Sequence, residues 1–171
     1  MKTMILTRAA AKLLDATRSR DKTRAALAFV NVRADVIEAT DGKMLVQVPH
    51  EQAQAVPAGV YKIVAIEKCV RGMVELQLAE IPDVQFPDCS RVVPPATGET
   101  TTVMIEDETI LAAVAIKLFR WCGNGYSDRL LERLAPLGAC WTVYKPDADK
   151  PARFQTSDGI VAVIMPFDLP N

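Results

Sequence analysis

Residues 36–49 read VIEATDGKMLVQVP, and this stretch predicts two β-strands joined by a tight turn. Val36–Thr40 and Lys43–Val48 are rich in β-branched and apolar residues, which is typical of strands. Between them, Asp41-Gly42 is a strong hairpin signal because glycine accepts the positive φ that a tight turn requires. Pro49 ends the second strand, since proline cannot donate a hydrogen bond to a sheet. We therefore expect an antiparallel hairpin here.

The sequence before the hairpin predicts a strand followed by an amphipathic helix. The strand covers Thr3–Leu6, and Thr7 is placed to cap a helix from about Arg8 to Arg18. The residues expected to form the buried stripe recur at helical spacing and are Leu6, Ala10, Leu13, Leu14 and Thr17. The remaining elements predicted for this half are a polar loop at 21–25 and strands at Leu27–Arg33, Gly59–Cys69 and Met73–Ile81.

The second half repeats this order of elements. A connector over residues 82–101 is rich in proline and separates the halves. It is followed by a strand at Thr102–Ile105 and by a helix from about Glu108 to Trp121, which Asp107 is placed to cap. The residues expected to point inward from that helix are Ile110, Leu111, Val114 and Leu118. A helical turn or two at Ser127–Leu134 and strands at Cys140–Tyr144, Arg153–Thr156 and Ile160–Met165 complete the prediction.

The two halves also share a turn sequence. Thr40-Asp41-Gly42 is matched by Ser157-Asp158-Gly159, and a proline, Pro49 or Pro166, follows each glycine at the same distance. We interpret this as an internal repeat within one domain, with repeats at about 1–81 and 102–171. The architecture it predicts is α+β, with two helices on one face of antiparallel sheets.

Composition limits the classes of function. The chain has 171 residues, half of them hydrophobic, and a net charge of −1, so there is no global basic field for nucleic acid. The four cysteines show no CxxC pairing, which favours reduced and mostly buried thiols in a cytoplasmic protein. Arg8 and Lys12 interrupt any apolar core of a signal peptide, and the apolar run Ile110–Ile116 is too short to span a bilayer. We expect no membrane association.

Three segments together resemble the bacterial DNA polymerase III sliding clamp, the beta subunit. Residues 38–45, EATDGKML, are similar to the clamp pattern A-T-D-G-H-R-L, although Lys43 and Met44 replace its histidine and arginine. Residues 86–94, FPDCSRVVP, are similar to F-P-D-Y-x-R-V-x-P, and residues 163–167, VIMPF, are similar to the V-V-M-P-M ending of clamp chains. A clamp chain has three domains, so this chain is identified as a shortened relative that would assemble as a homo-oligomer.

The resemblance implies a pocket for short peptides from polymerases or the clamp loader. Carried over by matched positions, that pocket comprises Thr40, Gly42, Lys43, Met44, Leu45, Pro94, Val163 and Met165. The resemblance also implies helices that face duplex DNA and contact it without reading bases. The basic residues that we assign to this role are Arg8, Lys12, Arg18, Arg20, Lys22, Arg24, Lys117 and Arg120.

No catalytic centre, metal site or cofactor is predicted. His50 is the only histidine, and Cys122 has no base beside it in sequence, so neither suggests a nucleophile with its base. Asp147 and Asp149 lack a calcium-loop pattern, and there is no glycine-rich phosphate loop. Three functions stay open at this point: a processivity factor around DNA, a clamp-fold adaptor or decoy that binds proteins without encircling DNA, and a small hydrolase.

Overall fold

A computed structural model describes residues 1–50, 56–106, 110–147 and 149–167 of the chain. The contacts divide it into two units, Met1–Asp88 and Cys89–Asn171. The division falls inside the proline-rich segment 82–101. We describe each unit separately.

The first unit is one antiparallel sheet with a helix packed on it. Its strands follow the order β1-β6-β5-β2-β3-β4. The elements are β1 Lys2–Thr7, α1 Arg8–Thr17, a 3-10 helix at Lys22–Ala28, β2 Val30–Val32, β3 Val36–Thr40, β4 Met44–Pro49, β5 Gly59–Lys68 and β6 Met73–Glu80.

Helix α1 begins and packs as its sequence predicts. The Thr7 hydroxyl accepts a hydrogen bond from the Ala10 amide at 3.2 Å, which satisfies one of the free amides of the first turn. The helix packs on β3 and β4 with a stripe of buried residues, namely Ala10, Ala11, Leu13, Leu14 and Thr17. The predicted stripe is confirmed, and Leu6 of β1 is buried as well.

A buried carboxylate joins three neighbouring strands of this sheet, β2, β3 and β4. Glu38 on β3 is 1% exposed and lies opposite Asn31 on β2 and Gln47 on β4. It accepts hydrogen bonds from the Asn31 amide at 2.8 Å and the Gln47 amide at 3.0 Å. These bonds satisfy the buried oxygens and favour one register of the strands.

The second unit repeats the strand, helix and strands order. Its strands follow the order β10-β9-β8-β7. The elements are a 3-10 helix at Ser90–Val92, β7 Thr100–Ile105, α2 Leu111–Cys122, α3 Asp128–Glu132, a 3-10 helix at Ala135–Leu137, β8 Ala139–Tyr144, β9 Ala152–Gln155 and β10 Val161–Ile164.

An aromatic cluster fills the core of the second unit. Phe154 of β9 meets Tyr126 with ring centroids 6.1 Å apart and Trp141 of β8 with centroids 6.5 Å apart, both edge to face. Leu111, Val114 and Leu118 of α2 are buried as predicted, whereas Ile110 is only half-buried. Gly123 ends the helix in the left-handed region with φ 81°.

Three local predictions were wrong. The segment predicted as a polar loop and the start of a strand is the 3-10 helix Lys22–Ala28, so β2 is shortened to Val30–Val32. The reason is the Asp21 side chain, which accepts from the Thr23 amide and begins the helix. Cys69 and Cys140 are exposed rather than buried, although all four cysteines are free.

The predicted helix cap Asp107 lies outside the described residues, so its role stays a prediction. In the part of the chain that the structure describes, no helix has both the length and the apolar character to cross a bilayer.

Candidate functional site at the β3–β4 turn

Side chains at the end of β3 organise the β3–β4 turn. The Thr40 hydroxyl donates to the Met44 carbonyl at 2.8 Å and accepts from the Gly42 amide at 3.1 Å. Asp41 accepts from the amides of Lys43 and Met44 at 2.8 and 2.9 Å. With its backbone groups satisfied in this way, the turn is a preorganised feature of the first unit.

Gly42 at the tip has φ 88°, in the left-handed region that favours glycine. A Cβ added here would lie 2.8 Å from Nη1 of Arg24 and 3.7 Å from Cδ1 of Leu27. The Arg24 guanidinium also donates to the Asp41 carbonyl at 3.4 Å. The 3-10 helix Lys22–Ala28 therefore brings one cation and one apolar side chain to the exposed turn.

Sequence reasoning missed this arrangement. It assigned Arg24 to DNA and left Leu27 in a strand, because nothing local in residues 21–28 indicates which distant turn they contact. The 3-10 helix is kinked at Arg24, which has φ −114° and ψ 52°, so helical spacing would not have placed Arg24 beside Leu27.

The predicted peptide-site residues of the first unit differ in exposure. Met44 and Leu45 are 1% and 3% exposed, so they support the turn from within the core. Thr40 is also buried and acts through its hydrogen bonds. Gly42 and Lys43 are exposed and form the accessible surface.

The other three predicted residues belong to the second unit. Val163 on β10 is buried, whereas Met165, just after β10, is 41% exposed. The Pro94 carbonyl accepts from Nη1 of Arg153 at 3.0 Å, and Arg153 is held by Gln155 and lies over the Tyr144 ring. Met165 is thus the accessible apolar member of this group.

The second unit contains a turn that is one residue longer and has a glycine of similar φ. Gly159 has φ 86°, and Thr156 accepts from the Ile160 amide at 3.0 Å while its hydroxyl bonds to Asp158. A threonine before the turn and a left-handed glycine at its tip thus recur in both units.

Comparisons with known proteins point to one fold. No protein-family profile matches the sequence, and no curated protein does. Among solved structures, a Caulobacter crescentus beta sliding clamp matches with a TM-score of 0.62 at 14% identity, over 99% of this chain and 66% of that chain. The chain has the fold of a bacterial sliding clamp.

Clamps from other bacteria match in the same way. The Bartonella birtlesii clamp, solved bound to griselimycin, has a TM-score of 0.60 at 14% identity, over 98% of this chain and 66% of its own. The Thermotoga maritima beta subunit has a TM-score of 0.55 at 12% identity, over 99% and 66%. The predicted clamp-like α+β fold is confirmed. The chain spans about 66% of the length of these clamp chains.

Most of the predicted DNA-contacting residues of the first unit are exposed on this clamp fold. They are Arg8, Lys12, Arg20, Lys22 and Arg24. Arg18 differs because it pairs with Asp15 and donates to the Ala28 carbonyl at 2.9 Å, which ties α1 to the 3-10 helix. Hydrogen bonds from the Thr23 hydroxyl and amide lower the pKa of Asp21 and keep it charged among these cations.

The predicted DNA-contacting residues of α2 have different surroundings. Lys117 donates from Nζ to the Thr102 carbonyl at 2.6 Å, while Arg120 is exposed. Ile116 and Phe119 beside them are about half exposed. The exposed side of α2 is therefore mixed apolar and basic, unlike the more basic surface of the first unit.

The two catalytic candidates, His50 and Cys122, each contact a backbone carbonyl. Nε2 of His50 lies 3.0 Å from the Arg33 carbonyl, and the Cys122 thiol donates to the Leu118 carbonyl at 3.1 Å. Burial, with Cys122 close by, raises the pKa of the Tyr126 phenol well above its usual range. Within the described ranges no three histidine, cysteine or acidic side chains gather as metal ligands.

Proposed function

We propose that this protein is a non-enzymatic replication accessory protein with a clamp fold, and that its β3–β4 turn binds short peptides of partner proteins. The observation that carries the proposal is the left-handed Gly42 with Arg24 and Leu27 beside it. The turn lies at the position where the clamp resemblance implies a peptide pocket.

The chemistry of the turn suits a short linear peptide. Gly42 lets the Arg24 guanidinium pack against the exposed turn, and Leu27 beside it offers apolar contact to an anchor side chain. Arg24 and Lys43 supply positive charge for an acidic residue or a terminal carboxylate. An aromatic and a leucine anchor would each contribute about 1.5–3 kcal/mol before ordering costs, so we expect micromolar affinity.

The partners of this proposal are polymerase or clamp-loader-type proteins in the cytoplasm. The chain spans 66% of the length of a solved clamp chain that it matches. We propose that it acts as an adaptor that presents the peptide site to these partners.

Lys43→Glu is the direct test. It reverses the exposed charge at the β3–β4 turn, where a charged side chain already faces solvent, so the fold should survive. We expect the variant to lose binding of a labelled peptide with an aromatic and a leucine anchor, measured by fluorescence anisotropy.

Lys62→Glu is the matched control. Lys62 has the same side chain, is exposed on β5 of the same unit and is outside the predicted site. It should bind the peptide like the wild type. Equal affinities for all three proteins, each folded by circular dichroism, would disprove the peptide site.

A second function, non-specific binding of duplex DNA, is favoured by the exposed cations of α1 and the 3-10 helix. Lysine and arginine contacts to phosphates need no base reading and weaken steeply with salt. The two functions use overlapping surfaces at Arg24. Charge reversals that spare Arg24 therefore separate DNA binding from peptide binding.

A further inference from the structure

Helix α2 carries positive charge that its own surroundings do not neutralise. Its sequence, LAAVAIKLFRWC, has Lys117 and Arg120 as its charged residues, and both are exposed. Among the described residues Arg120 has no ion-pair partner. Lys117 donates to the Thr102 carbonyl, which is neutral and leaves the charge of the ammonium uncompensated. This side of α2 is therefore a local positive surface on a chain whose net charge is −1.

An open groove of about 610 Å³ lies along the same side of the helix. It is lined by Ala113, Ile116, Lys117, Arg120 and Trp121. The spacings of one, three and four residues between them place all five on one face of α2. Ile116 is 53% exposed, and the small side chain of the exposed Ala113 leaves space beside it. The groove thus combines an exposed apolar surface with two cations and has no acidic side chain in its lining.

The aromatic wall of the groove is held in place from outside the helix. Nε1 of Trp121 donates to Glu99 at 2.9 Å, and Nζ of Lys145 donates to the same carboxylate at 2.8 Å. Because Glu99 is paired with Lys145, it is not available to neutralise Lys117 or Arg120. Lys145 also lies over the Trp121 ring, 5.7 Å from its centre, so one face of the indole is covered. A covered face cannot serve as a stacking platform for a base.

We propose that the α2 groove binds an acidic peptide segment of a partner protein. An aliphatic or aromatic side chain of the peptide packs on Ala113 and Ile116, and flanking carboxylates pair with Lys117 and Arg120. Arginine suits this role because its guanidinium can hold a carboxylate through two parallel hydrogen bonds. From Ala113 to Arg120 the helix rises about 10 Å, which corresponds to about three or four residues of an extended peptide.

The apolar part of the groove favours a peptide over nucleic acid. Duplex DNA would supply negative charge to Lys117 and Arg120, but its phosphates and sugars offer no apolar side chain to cover Ile116. An acidic peptide with an apolar anchor complements both parts of the surface at once. The site lies in the second unit and does not depend on peptide binding at the β3–β4 turn of the first. Contact of the same cations with DNA is the alternative that the experiments separate.

Arg120→Glu tests the charge. The probe is a fluorescein-labelled peptide in which a leucine and a phenylalanine are flanked on both sides by aspartates, and the readout is fluorescence anisotropy. We expect the variant to bind about tenfold more weakly than the wild type. Arg129→Glu is the matched control, because Arg129 is exposed on α3 of the same unit and does not line the groove. A wild type that does not bind the peptide, or equal losses in the two variants, overturns the proposal.

Ile116→Ala separates the peptide from DNA. It removes exposed apolar surface and leaves the charge unchanged, so we expect about fivefold weaker binding of the peptide and unchanged binding of a labelled duplex. Val64→Ala is the control, because Val64 is 50% exposed on β5 of the first unit. Suppose instead that Ile116→Ala binds the peptide like the wild type, while Arg120→Glu weakens both peptide and duplex. The surface would then be a phosphate contact, and the proposal would be wrong.

Tryptophan emission locates the bound peptide. Trp121 lines the groove, whereas Trp141, the other tryptophan, is fully buried in the core. The unlabelled peptide should change the emission of the wild type and of Lys43→Glu, which alters only the β3–β4 turn, but not that of Trp121→Phe. Binding seen by anisotropy without an emission change in the wild type contradicts a site at α2. An emission change that Lys43→Glu loses and Arg120→Glu keeps would assign the peptide to the turn and overturn the proposal.

Discussion

At Gly42 the backbone has φ 88°, a conformation that costs a residue with a side chain about 1–2 kcal/mol. A methyl group there would also lie 2.8 Å from the Arg24 guanidinium and would displace it. We therefore predict that Gly42→Ala lowers the free energy of unfolding by about 1–2 kcal/mol and weakens peptide binding. Urea denaturation and fluorescence anisotropy measure the two effects.

Gly159→Ala is the control for Gly42→Ala. Gly159 has nearly the same φ, 86°, in the matching turn of the second unit. The two variants should lose similar stability, but only Gly42→Ala should lose affinity for the peptide. Equal effects on affinity would mean that general destabilisation, and not the turn, explains the result.

Glu38 is a second residue whose substitution should strongly lower the free energy of unfolding. Glu38→Ala leaves the amides of Asn31 and Gln47 without their acceptor inside the sheet of the first unit. We predict a loss of about 1–3 kcal/mol in the free energy of unfolding, because unsatisfied polar groups there are costly. Glu38→Gln keeps one acceptor oxygen and should lose less. Wild-type stability in Glu38→Ala would contradict this role.

At the scale of elements, the 3-10 helix Lys22–Ala28 connects the fold to the candidate site. It begins at Asp21, which accepts hydrogen bonds from the Thr23 amide and hydroxyl at 2.9 and 2.8 Å. Arg18 holds its other end by donating to the Ala28 carbonyl. Between these two contacts the helix presents Arg24 and Leu27 to the β3–β4 turn.

This helix should loosen in acid. The hydrogen bonds from Thr23 lower the pKa of Asp21, so its contribution is complete above the usual aspartate pKa and is lost as pH falls through the lowered value. We predict faster amide exchange at Thr23 in that acidic range, measured by NMR. Asp21→Asn should remove most of this pH dependence. An unchanged pH profile in Asp21→Asn would assign the effect to another group.

Helix α2 shows how an element can be predicted correctly while its function stays a prediction. Leu111, Val114 and Leu118 are buried, as the helical spacing indicates. Its outward residues include Ile116 and Phe119 as well as Lys117 and Arg120, and Lys117 is bonded to the Thr102 carbonyl. A DNA contact by Lys117 and Arg120 therefore stays a prediction.

For the whole molecule, the distribution of charged side chains over the surface decides whether DNA binds. The net charge is only −1, so attraction to DNA has to come from a local surface. We predict that reversing Arg8, Lys12, Arg20 and Lys22 to glutamate abolishes binding to non-specific duplex at low salt. For the wild type, the slope of log K against log salt should be about −0.9 per phosphate contact.

The control for this prediction changes the net charge equally. Lys2, Lys62, Lys68 and Lys150 are exposed elsewhere on the chain, and their reversal to glutamate should leave most of the DNA binding intact. A wild type without salt-dependent binding would remove the DNA function and leave the peptide function untouched.

The sequence by itself determined those features of the fold that depend on local chemistry. Turn residues, helix capping by Thr7 and the spacing of apolar residues in α1 and α2 depend on neighbours a few positions away, so they predicted the hairpin, both helices and the α+β clamp-like fold. The prediction was wrong at Lys22–Ala28, where a single hydrogen-bonding aspartate changed a loop and strand into a 3-10 helix.

Tertiary packing alone decided which of these residues are accessible. Leu45 was expected to contact a peptide, but it is 3% exposed and supports the turn from within the core. Arg24 and Leu27 pack beside Gly42 although they are distant from it in sequence. Ile116 and Phe119 of α2 face outward because Leu111, Val114 and Leu118, on its other side, fill the core. Hydrophobicity predicts that a side chain will be covered, whereas the arrangement of distant segments determines what covers it.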